Sequence, residues 1–374
     1  MSIGSILVLI TRKKRLLMEF EKLYIAMNCR LNARPYTKAA KKRVKRIDGG
    51  YNGTRLEFRE KVLGFWKKYG KKPRKFWYDL YCNGLDSYDP RFIPDEMWHR
   101  DFLPYFNYHI NRKAYRDKAM YHKLITGVKL PETIVKNIAG YYYDGDGENE
   151  ITQEEAERLC LMEGKLIFKP SVYGGGGKDV TFYDRKESKS IAELFETFEA
   201  NFVVQRLVKQ HPDLARINKE SLNTVRVMSF RFKGKVHILS AQLRMGGVGS
   251  RVDNVTAGGC ACVIKPDGWL EEKAVTRMSQ WTDEHASGLK FKDIRVPSFD
   301  RIIETAKQLH TELPYFNIIG WDFAVDEEGD PVMIEFNLAP EQNQIGGRAP
   351  AFGDLSEEVF EEVFLKKSLK DIFY

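Results

Sequence analysis

Asp322, Glu335 and Asn337 stand in the segment Gly320-Trp-Asp-Phe-Ala-Val-Asp-Glu-Glu-Gly-Asp-Pro-Val-Met-Ile-Glu-Phe-Asn337. Two alternating stretches flank the turn-forming residues 327–330, which predicts an antiparallel hairpin. If Asp326 pairs with Pro331, Asp322 falls directly opposite Glu335, with β-carbons roughly 5 Å apart. Strand parity then puts Asn337 on the face of Glu335 and turns Phe323, Val325, Ile334 and Phe336 to the other side. Two carboxylates facing each other repel unless something positive lies between them. Hard divalent cations take oxygen ligands of this kind, and magnesium commonly bridges one or two carboxylates to substrate phosphates. The bland alternative is a hairpin with one solvated polar face, and a one-residue slip in register would separate the pair.

A second group of residues lies in Lys165-Leu-Ile-Phe-Lys-Pro-Ser-Val-Tyr-Gly-Gly-Gly-Gly-Lys178. It reads as a strand carrying Lys169 that runs into a loop of four glycines, Gly174, Gly175, Gly176 and Gly177, closed by Lys178. Glycines let backbone N–H groups approach phosphate oxygens closely, and the two lysines add positive charge. Neither common phosphate-loop pattern is met: Asp179 stands where a Walker loop requires Ser or Thr and a dinucleotide fingerprint requires Gly. A flexible connection is the plainer reading. Arg226 shares its strand face with Thr224, Met228 and Phe230, and a cation on a largely apolar face needs an anionic partner, either protein or ligand. Lys118 follows Asp117 at the start of a helical stretch ending near Gly127, and no spacing rule distinguishes it from a solvent-facing lysine.

The elements that must position these groups can be read from composition and pattern. The chain has 374 residues, 43% of them apolar and 30% charged, enough for one large or two ordinary cores. A mean hydropathy of -0.44 without low-complexity tracts indicates a soluble globular protein. From Leu56 to about Met120, aromatics recur among charges while Pro73, Pro90, Pro94 and Pro104 cut the pattern into short helices. After about Lys129, β-branched and aromatic runs alternate with glycine turns, predicting strands at 166–168, 202–207, 225–232, 236–243, 321–325 and 332–336. Ile302, Ile303, Ala306 and Leu309 share one helix face, and Val359, Phe360, Val363 and Phe364 another. The fold class is α+β, without internal repeats.

The formal charge of +8 is unevenly spread. Residues 1–50 hold 13 Lys and Arg against three acids, so the rest of the chain sums to -2. A uniformly basic nucleic-acid binder is therefore not expected. The stretch from Arg12 to Arg46 is either a solvated extension or a contact with anionic lipid or a partner protein. Five cysteines, Cys29, Cys82, Cys160, Cys260 and Cys262, form no CxxC pair and are odd in number, which suggests neither a disulfide framework nor a zinc site. The apolar run Ile3 to Ile10 is too short to span a bilayer and lacks the flanks of a signal peptide. The expectation is a cytoplasmic protein, with a peripheral place at the inner membrane face as the variant that the basic stretch leaves open.

Taken in chain order the pieces resemble the ATP-grasp superfamily, and more narrowly its sugar-transfer-associated branch. The residues carrying the resemblance are Asp89-Pro-Arg-Phe-Ile-Pro-Asp95, Asp117-Lys118, Phe168-Lys-Pro with the glycine loop, Val204-Gln-Arg-Leu207, Ser221-Leu-Asn-Thr-Val-Arg226, and Gly320-Trp-Asp322 through Glu335-Phe-Asn337. The spacing of Asp322, Glu335 and Asn337 is similar to the metal-ligand set of the D-alanine ligases in that superfamily. The resemblance spans roughly Tyr51 to the C-terminus.

It implies an ATP-grasp fold, two α+β subdomains clamping ATP behind a helical N-terminal region. The divisions would be a basic extension 1–50, a helical domain 51–117, a lid subdomain 118–205 and a C-terminal subdomain 206–374. Lys118, Lys169 and Lys178 would contact ATP, with Gly174 to Gly177 as a lid. Gln205, Arg206 and Leu207 would form the adenine hinge, and His211 or Asp213 the ribose contact. Asp322, Glu335 and Asn337 would hold magnesium, while Arg226 and Arg244 would steady the transferring phosphoryl group. Arg244, Arg251, Asn254, Gln342 and Arg348 are candidates on the acceptor side. The implied activity is an ATP-dependent carboxylate:amine ligase working through an acyl phosphate in surface polysaccharide or glycoconjugate synthesis. Its rivals are a phosphotransferase on the same fold and a non-catalytic scaffold of a membrane-bound synthesis complex.

Overall fold

The computed structural model describes residue 27 and residues 34–45, 53–107, 111–172, 174, 179–186, 190–247, 249–250, 259–276 and 279–366. They form two compact units, one of the residues up to Tyr105 together with those from Arg348 onward, the other of Phe106–Gly347. The first unit is helical and its core is aromatic, with Trp66, Trp77 and Trp98 fully buried. Indole nitrogens need partners once buried. That of Trp66 donates to the Tyr78 hydroxyl at 2.6 Å and to the Pro90 carbonyl at 2.8 Å. Pro90 and Pro94 keep the Asp89 to Asp95 segment out of a helix and leave its carbonyls to accept from side chains. Tyr78 accordingly donates to the Phe92 carbonyl at 2.8 Å, and Arg91 closes onto Asp89. The C-terminal helical run brings Phe360 against Trp66, with ring centroids 4.9 Å apart.

The second unit contains two antiparallel sheets. In the first, β1 (Thr133–Ile138), β2 (Tyr141–Asp144), β3 (Glu150–Ile151), β4 (Lys165–Pro170), β5 (Thr181–Asp184) and β6 (Phe202–Arg206) take the order β3-β2-β1-β6-β4-β5. Val135, Leu166, Phe168, Phe202 and Val204 pack beneath the helices Gln153–Leu161 and Ile191–Phe198. Alternation along β4 therefore turns Lys165, Ile167 and Lys169 to the uncovered face. In the second sheet, β7 (Thr224–Phe232), β8 (Lys235–Met245), β9 (Cys260–Ile264), β10 (Leu270–Thr276), β11 (Trp281–Thr282), β12 (Ile318–Val325) and β13 (Pro331–Asn337) follow the order β11-β10-β9-β8-β7-β12-β13. The helix Phe299–His310 lays Ile302, Ala306 and Leu309 on Val225, Val227, Leu243, Trp321 and Phe323. The opposite face carries Arg226, Gln242, Asp322 and Glu335 together with buried Met228 and Phe230.

A Ser–His pair that no sequence pattern announced lies in this core. Ser229 Oγ is 2.6 Å from His310 Nδ1, Trp321 Nε1 donates to Ser229 Oγ at 2.8 Å, and His310 Nε2 lies 3.2 Å from the Phe316 carbonyl. The three groups satisfy one another inside the core and line no cleft, so they tie strands to helix rather than perform chemistry. Burial, helped by the Arg231 charge, pushes His310 down to about 4. The unfolded chain binds more protons than the folded one between pH 4 and about 6.5, so stability is fully present above that window and falls as pH drops through it, by about 3 kcal/mol for this group. Denaturant titrations across the window check this: wild type loses stability on acidification, and His310→Gln, which keeps a hydrogen-bonding group there, shows a shallower loss.

Cys82, Cys160, Cys260 and Cys262 are buried free thiols. Burial pushes Cys260 up to about 11 and the other three up to about 12, so none is a thiolate nucleophile at neutral pH. No helix of the described residues is long and apolar enough to cross a membrane.

Candidate functional site

On the uncovered face of the second sheet a single rung crosses four strands. Glu335 on β13 stands opposite Asp322 on β12, Asp322 opposite Arg226 on β7, and Arg226 opposite Gln242 on β8. Arg244 lies two residues along β8 from Gln242, opposite Thr224, and therefore on the same face. Asp322 is only 3% exposed. Arg226 forks onto it, Nε to Oδ1 at 2.5 Å and Nη2 to Oδ2 at 2.7 Å, and Arg244 Nη1 lies 3.3 Å from Oδ2. Burial alone would raise the Asp322 carboxyl, but the two guanidiniums outweigh it and hold the group below the usual carboxylate range. The anionic partner that Arg226 requires is thus Asp322.

The hairpin reaches the facing carboxylates by a different register from the one expected. Val325 rather than Asp326 pairs with Pro331, because residues 326–330 form the turn. Asp326 N donates to the Asp330 carbonyl at 3.0 Å, Asp330 N returns to Asp326 Oδ1 at 2.7 Å, and Gly329 takes φ +84°. Left there, the slip would have separated Asp322 from Glu335. A bulge between Asp322 and Phe323 inserts Ile334 as an unpaired residue and restores the pairing. The bulge also corrects the expected facing of β13: Met333 is the core residue, while half-buried Ile334 joins Glu335 on a cleft wall.

That cleft has a volume of about 710 Å³ and runs between the uncovered faces of the two sheets. Lys118, Lys169, Gly174, Arg206, Leu207 and Glu335 all line it. Lys118 reaches it from a helical turn capped by Asp117, whose carboxylate accepts from Ala119 N at 2.9 Å. Lys118 N donates to the Ser171 carbonyl at the root of the glycine loop, and its ammonium lies 3.4 Å from Glu335. Two further ties fix this helix. Tyr121 stacks on Phe336 with centroids 4.6 Å apart, and His122 lies 3.0 Å from the buried ammonium of Lys136, which burial pushes down to about 8.

Other expected residues have protein partners of their own. Gln205 is buried and donates to Thr133 Oγ1 at 3.1 Å, away from the cleft lining. The Arg206 guanidinium is held by Glu132 and Glu163. His211 caps a helical turn by accepting from Asp213 N at 3.2 Å, and neither His211 nor Asp213 lines the cleft. Gln342 is buried, 5% exposed, in the second unit, and Arg348 falls in the first. Gly175, Gly176, Gly177, Lys178, Arg251, Asn254 and most of 12–46 lie outside the described residues.

Sequence reasoning passed over Lys165, Lys209 and Lys219 and the apolar lining Ile167, Val208, Leu222 and Ile334. The parity of β4 already carried a signal for Lys165 and Ile167, since both share the face of Lys169. Gln242 was also missed: its Nε2 is buried beside Arg226 without a hydrogen-bond partner among the described residues, and a β-carbon on Gly346 would come within 2.8 Å of it.

The donor atoms are of the type a hard cation takes. Asp322 and Glu335 are oxygen donors on paired strands, and Arg226, Arg244 and Lys118 are the positive groups with which a metal ion would share them. Among the described residues no cluster of three or more His, Cys, Asp or Glu side chains could hold a metal ion, so a third protein donor would be an amide. Asn337 Oδ1 accepts from Ala339 N at 2.9 Å and keeps a second lone pair.

The model of the sugar-transfer associated ATP-grasp family matches residues 98–347. No curated sequence matches the chain. Similar solved structures include biotin carboxylase from Campylobacter jejuni, at 15% identity and a TM-score of 0.40, covering 69% of this chain and 48% of that one. A VanG D-Ala:D-Ser ligase from Enterococcus faecalis matches at 14% identity and a TM-score of 0.40, over 67% of this chain and 62% of that one. The ATP-grasp ligase PsnB, bound to a precursor peptide and AMPPNP, matches at 16% identity and a TM-score of 0.39, over 67% and 60%. The chain spans less than two thirds of each of these proteins.

Proposed function

The chain belongs to the sugar-transfer associated ATP-grasp family, and from that membership we propose that it is an ATP-dependent carboxylate:amine ligase, acting with magnesium in the cytoplasmic synthesis of a surface polysaccharide or glycoconjugate. The observation that carries the reading is the rung Glu335, Asp322, Arg226 and Gln242, whose Glu335 end stands in the same cleft as Lys118 and Lys169. It combines oxygen donors for a cation, lysines for phosphates and guanidiniums for a second anion within one face.

Lys118 and Lys169 bind the phosphates of ATP, with Gly174 in the same cleft. Backbone around Arg206 to Val208 takes the base, with Ile167, Leu222 and Ile334 as apolar walls. Gln205 supports the hinge through Thr133 instead of reading the base itself. Asp322, Glu335 and Asn337 would hold magnesium, which supplies charge neutralisation at the triphosphate. A substrate carboxylate oxygen attacks the γ-phosphorus, ADP leaves, and the acyl phosphate then loses phosphate to an attacking amine, leaving an amide. Arg226 and Arg244 stabilise charge on the phosphoryl group and orient the acid. Closing the cleft keeps water from the acyl phosphate.

The test is consumption of ATP by the full chain with magnesium and a panel of acids and amines, with product mass as the readout. A ligase adds the amine less water to the acid; a phosphotransferase adds only phosphate. Absence of ATP consumption across the panel, together with unchanged nucleotide binding in Asp322→Asn, would remove the proposal.

A further inference from the structure

The helix over residues 34–44 is docked on one side and cationic on the other. Tyr36 stacks on His99 with centroids 4.2 Å apart, Thr37 donates to Glu96 at 3.2 Å, and Ala40 is buried. Arg34, Lys38, Lys41, Lys42 and Lys45 are exposed, and residues 34–45 contain no acid. The docked side thus holds the helix in place through three uncharged residues.

Part of that charge lines a groove of about 500 Å³. Arg34, Thr37, Lys38 and Lys41 form one wall, and Arg74, Glu96 and Arg100 the other. Five cations therefore face a single carboxylate, and that carboxylate is already engaged by Arg74 and Thr37. Arg100 is held by Asp101 at 2.7 Å, and the Lys41 ammonium lies 5.7 Å from the ring centroid of Phe76. The side chains of Arg34 and Lys38 have no ion pair or hydrogen bond among the described residues. A concave surface with such a surplus repels itself and is stabilised by an anion that several cations reach at once. A lone carboxylate would leave most of the groove unmatched. Phosphate oxygens accept from guanidinium forks and ammonium groups together and carry more charge per group.

We infer that this groove is a binding site for a ligand bearing more than one phosphate charge. None of its residues lines the nucleotide cleft. The same chemistry is presented by a diphosphate-bearing soluble compound and by the phosphate headgroup of a lipid, and the two sources separate by experiment.

Inorganic pyrophosphate is titrated into full-length protein carrying Lys118→Ala and Lys169→Ala, so that the cleft lacks its own phosphate-binding lysines, with and without Lys38→Glu/Lys41→Glu. In parallel, otherwise wild-type protein with and without the charge reversal is sedimented with phosphatidylcholine vesicles containing or lacking phosphatidic acid. Binding of at least one probe is expected, weakened about tenfold or more by the reversal and falling steeply with salt. Pyrophosphate binding alone assigns a soluble ligand; retention on phosphatidic acid vesicles assigns a lipid. Unchanged binding by the charge-reversed protein of whichever probe its parent binds, or binding of neither by the parent proteins, overturns the inference. Lys38 and Lys41 are exposed, so an unaltered melting temperature is expected and separates lost binding from lost folding. Nucleotide binding by the Lys38→Glu/Lys41→Glu protein reports on the cleft independently, so failure here leaves the ligase reading standing.

Discussion

Asp322→Ala is expected to lower ATP-dependent turnover by about a thousandfold or more and to destabilise the protein by about 3–5 kcal/mol. Both effects come from one carboxylate. It lies opposite Glu335 and accepts from Arg226 and Arg244, while being almost wholly buried. Removing it takes their shared carboxylate from two partly buried guanidiniums, and breaking one side of a buried ion pair is far more costly than replacing the pair as a unit. It also removes one of the two facing carboxylates. Asp322→Asn separates the two consequences, because the amide keeps the shape and accepts one hydrogen bond. It should melt closer to wild type while turnover stays low. Turnover and thermal melts of the three proteins side by side decide the matter. An Asp322→Ala protein that melts and turns over as wild type would sink the assignment.

Lys118→Ala combined with Lys169→Ala is expected to lower kcat/KM for ATP by about a hundredfold to a thousandfold with little change in fold. The lysines come from separate elements, a helical turn and β4, yet line one cleft. Lys118 also neutralises Glu335 at 3.4 Å, so its loss raises the repulsion that Glu335 feels from Asp322. Magnesium can take over that neutralisation, so Lys118→Ala alone should weaken magnesium-dependent nucleotide binding less than metal-free nucleotide binding, whereas Lys169→Ala should weaken both alike. Calorimetric titration of ADP with and without magnesium distinguishes them. Equal behaviour of the two variants would show that the contact of Lys118 with Glu335 has no part in cation binding.

How far the site was legible varies residue by residue. All six strands anticipated in the sequence form, because alternation and β-branched content are local properties that survive whatever packs on them. Cys260–Ile264 and Leu270–Thr276 were not anticipated. The first mixes small residues with no clear alternation, and the second carries the charges Glu271, Glu272 and Lys273 that tertiary pairing overrides. Gln205 and His211 illustrate a second limit. Residue type and position suggested ligand contacts, but each side chain satisfies a nearby protein group first, Thr133 Oγ1 in one case and a backbone N–H in the other. Polar atoms take the nearest good partner, and sequence order does not say which one is nearest.

The chemistry of the residues, the strand parity of the hairpin carboxylates and the need of Arg226 for an anionic partner were in the sequence by itself, as was the basic character of residues 34–45. Three matters were decided only by the tertiary structure. The bulge at Ile334 rescued a hairpin register that would otherwise have parted the carboxylates. Pairing of β12 with β7 supplied Arg226 as the partner of Asp322 across 96 positions of chain. Docking of Tyr36 and Thr37 turned a basic stretch into one wall of a groove. The physical reason is common to all three. A period of two or 3.6 residues records which side of an element is buried, whereas a one-residue insertion, a neighbouring strand or an opposing wall depends on packing between segments far apart in the chain.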